Sequence, residues 1–123
     1  MILRSFQNQF VHTFLLSHPE NALLEAEWAV LKKERGDLRV KFEQAILLSG
    51  RRGLTHLQAL SNERLAIYME EIGDDVEALY RYEQAIQLYG EWGAKAKVEQ
   101  LQPKIEAMDG RGVLQSSLSY RER

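Results

Sequence analysis

The chain has 123 residues, a mass of 14.2 kDa, a formal net charge of −2 and 28% charged residues of both signs, which fits a single domain. That balance argues against a nucleic-acid surface, which needs a basic excess to displace counterions from phosphates. Cysteine is absent, so disulfide staples, thiolate metal sites and cysteine nucleophiles are excluded, and no run approaches the roughly 20 apolar residues that span a bilayer.

Ile2, Phe6, Phe10 and Phe14 recur every fourth residue, with Leu3, Val11 and Leu15 beside them. This predicts an amphipathic helix over residues 1–17, a partial repeat. No hairpin precedes it in the sequence, and its apolar surface is wider than one neighbour covers. This end is therefore expected either to be completed by residues of a larger parent or to be covered by a second copy, and in the isolated chain Phe6, Phe10 and Phe14 are expected to drive self-association, as a homodimer. Ser17-His18-Pro19-Glu20 then closes one helix and opens another: Ser17 as the cap, Pro19 in the first turn, Glu20 completing a capping box. That second helix is predicted from about Glu20 to Arg35.

Gly36-Asp37 is a stop-and-start signal, glycine ending one helix and aspartate accepting the free amides of the next. A third helix follows to about Ser49, and residues 18–53 form a degenerate repeat. Thr55 with Gln58 makes a capping box for a fourth helix ending near Ile72, and Asp74 with Glu77 does so for a fifth ending near Tyr89. Residues 54–93 are the better repeat. A sixth helix over Ala94–Gln102 stops at Pro103, which cannot donate a helical hydrogen bond, with a further turn at Ile105–Met108. Residues 94–108 cap the array, and 109–123, rich in Gly, Ser and Arg, form a flexible tail.

The fold class follows from near-identity of two segments. Phe42-Glu43-Gln44-Ala45-Ile46-Leu47-Leu48-Ser49-Gly50-Arg51-Arg52-Gly53 returns as Tyr82-Glu83-Gln84-Ala85-Ile86-Gln87-Leu88-Tyr89-Gly90-Glu91-Trp92-Gly93. A period of roughly 37 to 40 residues with a turn inside each copy predicts stacked helical hairpins. The expectation is an all-α array of about six helices, a right-handed α-solenoid fragment.

Leu65-Ala66 on the first helix of the better copy, the Gly73-Asp74 turn, and Ala78, Tyr82 and Ala85 on the second resemble the tetratricopeptide repeat. Gly90 stands where that family usually has proline. Trp28-Ala29, Phe42 and Ala45 match in the earlier copy, whose second helix is short, so that Leu38 or Val40 must replace the lost small residue. The run Trp92-Gly93-Ala94-Lys95-Ala96-Lys97-Val98-Glu99-Gln100-Leu101 is similar to the last repeats of large signalling proteins. In those, a kinase-like domain and a P-loop ATPase precede a helical-repeat region, and sensor and histidine-kinase or cyclase domains follow it. The resemblance implies a non-enzymatic scaffold from a cytoplasmic regulator.

The chemistry of the chain points the same way. No glycine-rich phosphate loop is present, and no cofactor is expected. His12, His18 and His56 lack partners at ligand spacing, so no metal site is expected. Glu70-Glu71 and Asp74-Asp75 flank a turn and read as solvated caps. Gly50-Arg51-Arg52-Gly53 is the basis of the rival reading, a nucleic-acid adaptor using Arg51, Arg52 and the tail. Its equivalent, Gly90-Glu91-Trp92-Gly93, is acidic and aromatic, which assigns the glycines to the turn.

In tetratricopeptide stacks the first helix of each hairpin lines a concave surface. The resemblance assigns Leu23, Ala26, Glu27 and Val30, and then Leu60, Glu63, Arg64 and Ile67, to that surface. Val30 and Ile67 take the place of the asparagine that repeats use to hold a C-terminal carboxylate. The expected partner is instead a protein segment, an amphipathic helix against an apolar strip edged by Glu27, Glu63 and Arg64. Permanent cover by another helix of a parent protein is the alternative.

Overall fold

The computed structural model describes residues 18–33 and 38–110, and all regular structure among them is α-helical. Five helices follow in chain order: α1 (Pro19–Leu31), α2 (Leu38–Arg51), α3 (Thr55–Glu71), α4 (Asp75–Trp92) and α5 (Lys95–Gly110). Each packs on its neighbours in sequence, α3 on α4 most extensively, and α1 also reaches α3. The result is a helical repeat-like array. The helix expected over residues 1–17, with Phe6, Phe10 and Phe14, lies outside the described residues, as do Gly36, Asp37 and the tail from residue 111.

The turns arise from one repeated device. Gly53, Gly73 and Gly93 have φ of 69°, 89° and 93°, the left-handed region that glycine enters without a Cβ penalty. At each, the next amide reaches back to a carbonyl of the last helical turn: Leu54 to Ser49 at 2.9 Å, Asp74 to Met69 at 2.8 Å and Ala94 to Tyr89 at 2.8 Å. Gly50 has a different task. It lies inside α2, and a Cβ there would come within 2.9 Å of Gln58 Nε2, so its missing side chain leaves room for the flexible end of that α3 side chain. Both α2 and α4 accordingly run past the expected Ser49 and Tyr89, to Arg51 and Trp92.

Other boundaries also move. α1 ends at Leu31 rather than Arg35: Lys32 follows as the cap residue, and Lys33 leaves the helix at φ 54°. The residue before α1 is His18, in extended backbone with no side-chain cap, while Pro19 occupies the first turn as expected. Asp74 caps α4 by accepting the Glu77 amide at 3.1 Å, but Thr55 caps nothing. Leu54 takes that boundary position and leaves Thr55 already helical, so no side-chain cap bond forms. α5 passes through Pro103 to Gly110. Leu101 and Met108 are buried and Ile105 packs against the core between them, so stopping at Pro103 would expose that face.

The core follows the repeat. Ala78, Tyr82 and Ala85 of α4 and Leu65 and Ala66 of α3 are buried, as are Phe42, Ala45 and Ala29. Small side chains let helices approach, and the aromatic rings fill the intervening space. Leu38 is buried and Val40 half-exposed, so Leu38 supplies the packing lost from the short second helix of the first copy. Trp28 departs from its expected role: it is 57% exposed, whereas its counterpart Leu65 is fully buried.

Candidate functional site

α1 and α3 present the face on which the sequence places partner binding. Glu27 on α1 and Arg64 on α3 are brought together: Arg64 Nε and Nη2 donate to the two oxygens of Glu27, the Nη2 bond at 3.0 Å. This fork-like pair pushes the Arg64 pKa up, first through the hydrogen bond itself. Around it, Leu60 is 38% exposed, while Val30 and Ile67 lie half-buried against the core. Leu23 and Glu63 are instead buried within the fold.

The burial of Glu63 belongs to a two-layer arrangement. Tyr89 on α4 donates its hydroxyl to Glu63 Oε1 at 2.7 Å, and Lys97 Nζ on α5 lies 3.0 Å from the same oxygen and 3.1 Å from Oε2. Two helical turns away, Tyr82 donates to Glu70 Oε1 at 3.0 Å, and Lys104 Nζ lies 2.9 Å from that oxygen. Each ammonium also sits over its layer's ring, at 5.4 Å for Tyr89 and 5.8 Å for Tyr82. Burial, and then the bonded carboxylate, pushes both phenol pKa values up. Glu70 is thus a cross-helix ligand rather than the solvated cap expected of it.

A second face is built by α2 and α4. Glu43 Oε1 accepts from Arg39 Nε at 2.8 Å and Arg81 Nη2 at 3.3 Å; Glu77 Oε1 meets Arg81 Nε at 3.0 Å and Arg39 Nη2 at 3.3 Å. The four side chains close a ring of alternating charge, and Arg81 also donates to Asn62 Oδ1 on α3 at 3.3 Å. Beside it runs an open groove of about 560 Å³, with Ile46, Leu47 and Gly50 on its wall and Arg51 at its end. Arg51 and Arg52 are exposed at the close of α2.

Sequence reasoning missed this ring and the two Glu–Tyr–Lys layers. The signal for the layers was present: Glu63 and Glu70, Tyr82 and Tyr89, Lys97 and Lys104 share one spacing on three successive helices. Among the described residues no three His, Asp or Glu side chains group as a metal site, and no helix is long and apolar enough to cross a membrane. His56 meets Trp92 in a tilted ring contact, with centroids 5.1 Å apart. No family model, curated protein or solved structure matches the chain.

Proposed function

We propose that the chain is a non-enzymatic, tetratricopeptide-like interaction module whose α1–α3 face holds an amphipathic helix of a protein partner. The observation that carries this reading is the surface around the Glu27–Arg64 pair. Leu60, Val30 and Ile67 provide apolar contact, and the ion pair at their edge offers both charge signs for orienting a bound helix. The internal ionic layers support the same reading. They take Glu63, Glu70, Lys97 and Lys104 into structure and leave the exposed pair as the polar element of this face. The run from Trp92 to Leu101 supports placing the module in the repeat region of a larger cytoplasmic ATPase- or kinase-containing regulator.

The test is a titration of the 15N-labelled chain with a synthetic amphipathic helix bearing an apolar i, i+3, i+4, i+7 stripe and charged flanks. Saturable shifts centred on Leu60, Arg64 and Ile67, abolished by Leu60→Glu with Ile67→Glu, are expected. Shifts centred on Leu47 and Arg51 would move the site to the α2–α4 groove, and no saturable shift at all would reject a helix-binding face.

A further inference from the structure

An apolar stripe stands open along α1: Leu24, Trp28 and Leu31 are 65%, 57% and 74% exposed. Its meaning comes from the internal repeat. The spacing of 37 residues that joins Glu27 to Arg64 relates Leu24, Trp28 and Leu31 to Ser61, Leu65 and Tyr68 on α3. Ser61 and Leu65 are fully buried, and Tyr68 stacks on Phe42 of α2 with ring centroids 5.9 Å apart. On α3, then, the corresponding stripe is buried, and at Tyr68 it meets α2, the helix that precedes it. On α1 it awaits an equivalent of α2.

The sequence holds one more segment of that kind. Phe6, Phe10, Thr13 and Ser17 fall in register with Leu38, Phe42, Ala45 and Ser49, which are the buried residues of α2. Leu15-Leu16-Ser17 likewise repeats Leu47-Leu48-Ser49. Residues 6–17 carry no Asp, Glu, Lys or Arg, a composition suited to lying against an apolar stripe. We propose that residues 6–17 dock in cis on Leu24, Trp28 and Leu31, as the helix that precedes α1.

Length and connection fit. Residues 6–17 as a helix would span about 18 Å and α1 spans about 20 Å, at 1.5 Å per residue. Ser17 is bonded to His18, whose extended backbone breaks the chain from α1, and the last residues of the segment supply the rest of the connection of about 2–5 residues that an antiparallel helix pair needs. Area argues for this occupant over a second copy of the chain. Three side chains on one helix fall well short of the roughly 800 Å² per partner that a stable interface uses. A tethered segment needs far less, because its docking is intramolecular and carries a high effective concentration. The inference rests on the helical-repeat reading above, but its test involves no partner, so the two can fail separately.

The chain has two tryptophans, Trp28 and Trp92. In the full chain with Trp92→Phe, Trp28 is expected to show blue-shifted emission and weak acrylamide quenching, unchanged from about 1 to 100 μM, with monomeric sedimentation throughout. Adding Phe10→Glu and Phe14→Glu should red-shift that emission and raise the quenching constant several-fold, and the milder Phe10→Ala should move both in the same direction. In the Trp28→Phe chain, Trp92 beside His56 reports on α3 and α4, and its emission should not respond to either change. Water-accessible Trp28 at every concentration would overturn the proposal, as would protection indifferent to the Phe10 and Phe14 changes. Protection that grows only as dimers form would overturn it in favour of the homodimer that the phenylalanine stripe suggests.

Discussion

Glu63 and Glu70 each meet a tyrosine of α4 and a lysine of α5, so two carboxylates are spent on holding three helices in register. Removing one cation leaves a buried carboxylate short of a partner. Lys97→Met is therefore expected to destabilise by on the order of 1–3 kcal/mol, read as a lower denaturation midpoint. The tyrosines give a pH signature. Their folded pKa values are raised, so the protonated phenol is favoured in the folded state. That contribution is fully present below the unfolded value of about 10 and is lost as pH rises through the higher folded value. Phenolate absorbance should show Tyr82 and Tyr89 ionising above the ordinary phenol value of about 10, and stability should fall above about pH 10. Ala78 and Ala85 are fully buried in the core, so Ala78→Leu or Ala85→Leu should cost on the order of 1–3 kcal/mol by overpacking.

At the level of elements, two similar capping signals behave differently. Asp74 accepts the Glu77 amide, whereas Thr55 sits one position too far into α3 to accept any. Asp74→Ala should lower stability by about 1 kcal/mol, and Thr55→Ala should change it by less than about 0.5 kcal/mol. Pro103 is the converse case. It is exposed and deprives the Glu99 carbonyl of a donor, yet α5 continues because Leu101, Ile105 and Met108 share a face. Pro103→Ala should raise the denaturation midpoint, with a ceiling near the ~3 kcal/mol penalty of an interior proline. These cases show what was legible. The positions of the Gly53, Gly73 and Gly93 turns and the small-residue contacts follow from local chemistry visible in the chain. Whether a helix passes a proline, or stops short of Gly36, depends on burial supplied by other helices.

Across the whole molecule, contacts run mainly between successive helices, and the ionic layers join α3, α4 and α5 while the Arg39–Glu43–Arg81–Glu77 ring joins α2 to α4. The repeat made this nearest-neighbour order legible in advance, and it placed Ala78, Tyr82 and Ala85 in the core. It did not reveal that Glu63 turns inward while Arg64 beside it pairs outward with Glu27, because neighbouring residues on a helix point to different partners. An array of this kind should lose structure from its ends, since each unit is stabilised chiefly by adjacent units. α3 and α4 have neighbours on both sides and the most extensive mutual contact; α5 has a described neighbour on one side only. The most direct measurement is native-state amide hydrogen exchange, helix by helix. The slowest exchange is expected in α3 and α4, faster exchange in α2, and the fastest in α5 beyond Pro103. Equal protection of all five helices, or a maximum in α5, would contradict a stack held together by its neighbours.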